Sequence, residues 1–417
     1  MKIGVFTDTY YPDISGVTVS IENFVSMFRK KGNKVYIFAP KVKGYKDKDT
    51  DVYRVTSLKL ISSEPEVRLP LLLPYKTLQK MFSLDLDLIH AHGNGPFSLL
   101  GYQMARIKNI PYILTFHTIH TKYTHYFFDG KIISPKMVAG GLRVFANLCD
   151  GVVVPSEKMK EELTSYGFRG QVKVIPSFIN LKKFESLEKG YLHKKLNIPE
   201  GSPILISVGR LGKEKNFNFL IKAFKKVTKI NSNAYLVIVG QGPEKNNLKK
   251  LTKSLGIEKR VHLTGKLAIK TMPLAYVDAD IFVFASDTET QGICVLEAAA
   301  SGLPLVVVED PAFKNAVIDG VNGFATLLDE KIFAQKIALL LRDISLRNKL
   351  GENSKKIANE NFKPEKLALE MLSFYKEIIK KHKTKKRILR RIINKASFIN
   401  FLKIAERVNK LLGSTRW

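Results

Sequence analysis

Two α/β domains, each wound around a parallel sheet, are what the sequence predicts. Three observations carry this. The chain has 417 residues, two to three times a usual domain length. Short apolar runs alternate with amphipathic stretches of helical period, the pattern of βαβ units. The alternation breaks once, over a polar lysine-rich stretch, and then starts again.

The first series of buried strands reads Ile3–Thr7, Lys34–Phe38, Leu86–Ala91, Tyr112–Thr115, Gly151–Val154 and Val172–Ile175. Helical patterns lie between them, as at Val17–Lys30 and Phe97–Lys108. The second series reads Ile204–Val208, Ala234–Val239, Arg260–Leu263, Asp280–Phe284 and Leu305–Val308. The expected division is an N-terminal Rossmann-like domain over 1–178, a linker over 179–202 and a second Rossmann-like domain over 203–361. Two such halves face each other across a cleft. Ligands bind beyond the carboxyl ends of such strands, so the search narrows to loops 8–16, 92–96, 116–134, 209–215, 240–243 and 285–292.

Composition excludes several classes. Hydrophobic residues make up 45% and charged residues 25%, a globular balance that excludes disorder as the main state. No run approaches the length of a transmembrane helix, and Met1–Asp8 reads as a strand rather than a signal peptide, so a cytoplasmic protein is expected. Cys149 and Cys294 stand far apart, which fits a reducing compartment and no cysteine metal site. The net charge of +30 attracts polyanions, either nucleic acid or an anionic membrane. No nucleic-acid motif accompanies it and the basic block lacks stacking aromatics, so no nucleic-acid partner is expected.

Four loops carry candidate chemistry. In Asp8–Gly16, the glycine before an apolar helix lets backbone approach a ligand, or simply makes a turn. No GxGxxG fingerprint is present, which argues against NAD. In Gly209–Asn216, Arg210 and Lys215 can converge on one diphosphate, or form a solvated basic loop. In Ser286–Glu297, Glu289 lies in the loop and Glu297 on an otherwise apolar helix, where a carboxylate is costly unless bonded. Sugar or ribose hydroxyls suit it, and so does a structural ion pair. The exposed amides of Gly292 and Ile293 suit phosphate. His117 follows a strand, with His120 and His125 nearby, and is either a site residue or a satisfied core or loop histidine. His90 and His92 share a strand face without a third ligand at matching spacing, so no metal is expected.

Asp8–Gly16, Thr115–Thr118, Gly209–Asn216 and the Glu-x7-Glu pair Glu289/Glu297 together resemble the family 4 retaining glycosyltransferases of GT-B fold, over residues 1–380. The resemblance implies a nucleotide-diphosphate sugar donor, no metal, and a final helix, Pro364–Lys380, returning to the first domain. It also implies roles. Gly16 presents backbone to the diphosphate. Arg210 and Lys215 neutralise it and stabilise the leaving group. Glu289 holds sugar hydroxyls, Glu297 the ribose, and His117 stands near the anomeric centre. Many members have Gly-Gly where this chain has Ser15-Gly16, and Gly-Phe where it has Thr290-Gln291. In these forms the chain is similar to bacterial diacylglycerol glucosyltransferases, which implies glucose from UDP-glucose and a lipid acceptor. Phosphatidylinositol mannosyltransferases are more distant relatives. A glycan acceptor, an epimerase and a non-catalytic binder stand as alternatives.

The charge supports a lipid acceptor independently. Residues 380–417 hold thirteen Lys or Arg and one acid, Glu406, a balance of +12. Apolar positions from Leu389 to Leu412 recur at helical spacing opposite these cations, and Trp417 ends the chain. The 381–417 tail reads as a basic amphipathic helix that binds the anionic inner face of the cell membrane, with a solvated helix or disordered tail as the plain alternative. Pro65–Phe82 mixes leucines with cations and reads either as an interfacial segment or as a covered core helix.

Overall fold

A computed structural model describes residues 1–13, 15–60, 67–70, 79, 81–118 and 135–392. The strands of the first half are β1 (Lys2–Thr7), β2 (Lys34–Pro40), β3 (Val52–Val55), β4 (Ser57–Leu60), β5 (Val67–Pro70), β6 (Leu88–His92), β7 (Tyr112–Thr115), β8 (Gly151–Val154) and β9 (Val172–Val174). Seven form one parallel sheet in the order β3-β2-β1-β6-β7-β8-β9. The second half holds β10 (Ile204–Val208), β11 (Tyr235–Val239), β12 (Val261–Gly265), β13 (Ile281–Phe284), β14 (Leu305–Val308) and β15 (Gly323–Thr326), in the order β12-β11-β10-β13-β14-β15. Both sheets are parallel throughout and both are doubly wound, as their apolar runs predict.

In each sheet the winding reverses once, between β1 and β6 and between β10 and β13. A crevice opens at each reversal because the following helices pass to opposite faces. The cores fill both faces of each sheet. Ile3, Val5, Val35 and Ile37 face Phe24 and Phe28 of the helix Gly16–Lys30. Phe6 and Phe38 face Met104 of the helix Pro96–Lys108.

Four strands were not expected: β3 and β15 at sheet edges, and the antiparallel pair β4–β5 outside both sheets. Each has four residues, too few to establish a period. The β5 strand also corrects the helical reading of Pro65–Phe82 over Val67–Pro70. Met81 of that segment is buried in the core, and residues 65, 66, 71–78 and 80 lie outside the described residues.

The polar stretch 179–202 is folded onto the second half. Ile179, Phe184, Leu192 and Ile198 are buried. Asp278, ending the helix Met272–Asp278, accepts from the amides of Gly190, Leu192 and His193 at 2.6, 2.6 and 3.1 Å. Burial opposes the carboxylate, but these donations hold it below the ordinary range.

The long helix Pro364–Ile392 leaves the second half and packs on the helix Gly16–Lys30 of the first. Phe28 meets Tyr375 edge-on at 5.6 Å between ring centroids. The tail beyond 392 lies outside the described residues. Among those described, no helix is long and apolar enough to cross a membrane.

Candidate functional site

The two switch points face one another, and the loops that follow β1, β7, β10 and β13 meet there. They line a crevice of about 190 Å³ that includes Gly16, His117, Ser177, Lys215, Glu289 and Gly292. Two helix N-termini point into it. The helix Gly16–Lys30 is capped by Ser15, whose Oγ accepts from the Thr18 amide at 3.2 Å. A Cβ placed on Gly16 would stand 3.4 Å from Ile293 Cδ1, the first residue of the helix Ile293–Ala300. Gly292 caps that second helix at φ +73°, a left-handed conformation that favours glycine, and a Cβ there would meet the Phe313 ring at 2.6 Å. Unsatisfied amides at both helix starts make the floor of the crevice electropositive.

The second half supplies the charged side chains. Lys215 Nζ bonds Glu289 Oε1. Arg210 Nη2 donates to Glu214 Oε1 at 2.9 Å, and Glu214 is buried. Each cation read from the sequence is therefore tied to a carboxylate. Glu214 was not singled out, although its spacing of four from Arg210 is a legible signal.

Glu297 lies one turn deeper on the helix Ile293–Ala300 and is half-buried. Its Oε2 accepts from the buried Tyr276 hydroxyl at 2.8 Å. Burial lifts the Glu297 carboxyl from 4.5 to about 7, against the lowering effects of Tyr276 and Lys183. Tyr276 carried no sequence signal, because an aromatic on a helix reads first as core.

The first half supplies neutral groups. His117 Nε2 lies 3.0 Å from His92 Nδ1, with the rings stacked. His90 lies below His92 at 4.2 Å between ring centroids. It bonds Thr115 Oγ1 at 2.6 Å and the Tyr375 hydroxyl at 2.5 Å. Burial holds His117 at about 4, and burial with repulsion from His117 holds His90 at about 3. His90 and His92 thus form a column beneath His117. Among the described residues, no cluster of three or more His, Cys, Asp or Glu side chains is arranged to hold a metal. His120 and His125 lie outside the described residues.

Asp8 follows β1 at the first switch point, where its Oδ1 accepts from the Phe97 amide at 2.9 Å. Burial raises its carboxyl to about 6. Cys149 and Cys294 are free, and burial pushes both thiols up, away from reactive thiolate.

Comparison with known proteins agrees with this geometry. Residues 14–183 match the family described as Glycosyltransferase Family 4, and residues 189–357 match Glycosyl transferases group 1. The chain is 36% identical to the alpha-monoglucosyldiacylglycerol synthase of Streptococcus pneumoniae, over 87% of this chain and 83% of the relative. It is 30% identical to the synthase of the same name from Acholeplasma laidlawii, over 92% and 99%. In fold it is similar to HepE of Anabaena, solved with UDP and glucose, at a TM-score of 0.72 and 20% identity over 90% of this chain and all of that one. The sucrose-phosphate synthase of Thermosynechococcus elongatus superposes equally well, at 0.72 and 20% over 90% and 98%. With its two facing parallel-sheet halves, and with identity to two such synthases along most of its length, the chain belongs to glycosyltransferase family 4 and is a hexosyltransferase of GT-B fold.

Proposed function

We propose that the protein transfers glucose from UDP-glucose to 1,2-diacylglycerol at an anionic membrane surface, with the anomeric configuration retained. The observation that carries this is the meeting of two helix N-termini with Lys215 and Glu289 in one crevice. A diphosphate suits that floor, and the names of the two synthases support glucose and diacylglycerol.

In this reading the diphosphate accepts from the amides at Gly16, Gly292 and Ile293, and competes with the carboxylates for Lys215 and Arg210. These groups stabilise charge that grows as the bond from the sugar's C1 to the phosphate oxygen breaks. The acceptor hydroxyl attacks C1 from the same face, and its proton passes to the departing phosphate oxygen. Glu289 then holds sugar hydroxyls, and Glu297 the ribose. Neutral His117 offers a hydrogen bond near C1 without bringing a charge. The positive charge of the step comes from side chains and helix ends, so the reaction as proposed uses no metal.

The basic tail supports delivery to the membrane, since each cation near an anionic leaflet contributes about 1 kcal/mol. The test is labelled UDP-glucose with liposomes of diacylglycerol and an anionic phospholipid, followed by lipid chromatography. Labelled glucosyldiacylglycerol is expected, and less of it when the chain is cut after residue 392. No labelled lipid with UDP-glucose, but labelled lipid with GDP-mannose and phosphatidylinositol, sinks this donor and acceptor pair.

A further inference from the structure

Four bonds between the two halves fall on the two residues that follow Glu289, beside the ion pair of Lys158 with Asp310. Gln291 is buried. Its Oε1 accepts from the Ser177 amide at 2.8 Å, and its Nε2 donates to the Ser177 carbonyl at 2.7 Å. One side-chain amide thus pairs with both backbone groups of a residue on the other half. Ser177 Oγ in turn lies 2.8 Å from Ser20 Oγ on the helix Gly16–Lys30. Thr290 works in both directions. Its carbonyl accepts from Ser156 Oγ at 2.6 Å, and its hydroxyl donates to the His117 carbonyl at 3.0 Å. An amide side chain donates and accepts side by side in this way without needing a proton from solvent. Neither glycine nor phenylalanine, which many family members carry here, has a side chain that forms these bonds.

Building on the proposed function, we propose that Thr290 and Gln291 are positioning residues. They latch the donor-side loop onto the first half, and so hold Glu289 and His117 in register across the crevice. The loop that carries Glu289 is then the same loop that fastens the halves.

The test uses the full chain with Gln291→Leu, which keeps the volume and removes both bonds, and Thr290→Val, which removes one hydroxyl. Glucosyl transfer, UDP affinity by calorimetry and radius of gyration by small-angle scattering with UDP are measured. Gln291→Leu is expected to lower kcat roughly 10- to 100-fold and leave UDP affinity within about threefold, because closure is lost while the donor loops stay in place. Its radius of gyration is expected to rise. Thr290→Val is expected to lower kcat by about 3- to 10-fold, the worth of one hydrogen bond. Wild-type kcat and unchanged scattering in both variants overturn the latch. A loss of UDP affinity that matches the loss of kcat also overturns it, since the two residues would then serve donor binding. Thr290→Val decides alone if Gln291→Leu fails to fold. If the wild type transfers no glucose, the proposed function has failed, and the scattering comparison still decides the latch.

Discussion

The two halves that flank the crevice handle charge in opposite ways. On the second half, Lys215 and Arg210 are charged and each is matched by a carboxylate. On the first half, Asp8 is raised to about 6, His117 is lowered to about 4 and His90 to about 3, all by burial. One wall keeps ions in exchangeable pairs, which an incoming diphosphate can re-partner. The other keeps its histidines neutral, able to donate or accept without adding charge near the reacting carbon. A largely buried cation is less costly paired than unpaired, and a diphosphate can take the carboxylate's place. A neutral buried histidine loses its rest state if it gains a proton.

The largest effect is expected on the charged wall. Lys215→Ala should lower kcat for glucosyl transfer by about 10²–10³-fold, the usual cost of removing one group that stabilises a leaving charge. Activity above a tenth of wild type would erase the contrast between the walls. On the first half, effects should also appear in stability. Asp8 binds its proton more tightly when folded, so wild-type stability falls as pH rises from about 4 to about 6. Asp8→Asn cannot ionise, and should gain on the order of 1–3 kcal/mol at pH 8 relative to pH 4.5, read from urea unfolding. The histidines have the opposite sign. His117 binds its proton more tightly when unfolded, so its neutral folded form is favoured above about 6.5, and stability is lost as pH falls toward 4. His117→Asn should flatten that acid limb by roughly 1–2 kcal/mol in the same unfolding series.

The smallest effect sharpens the comparison from the side of Glu297, a neutral-wall behaviour on the charged half. Its carboxyl sits at about 7, and hydroxyl donors favour the ionised form. UDP affinity should therefore rise about tenfold from pH 6 to pH 8 and level off above, with a proton released on binding. Calorimetry in buffers of different ionisation enthalpy reads both. Glu297→Gln should bind with no such slope, and a slope that persists would assign the proton to another group.

Much of this molecule is legible in its residues, for identifiable reasons. The central strands stand out because a strand buried on both faces is an unbroken apolar run, as in Ile204–Val208. The edge strand Gly323–Thr326 has no such run and escapes notice. The folded character of 179–202 is masked by its lysines, which point outward while Phe184 and Leu192 turn in. Gly16, Lys215, Glu289 and Gly292 were findable because loops after parallel strands must meet at a switch point. Tyr276, Ser177 and the use of His92 were not, since nothing local marks an aromatic, a serine or a strand histidine as a partner.

The sequence by itself determined the two wound halves, the loops that face the crevice and the charge those loops carry. Period, punctuation and residue type are local properties, and they act on each segment before the chain is closed. Only the tertiary structure decided who pairs with whom. Lys215 and Glu289 are 74 positions apart, and Gln291 reaches Ser177 across 114. Such pairings depend on how two sheets are oriented, and therefore on the summed packing of the whole chain rather than on any stretch of it.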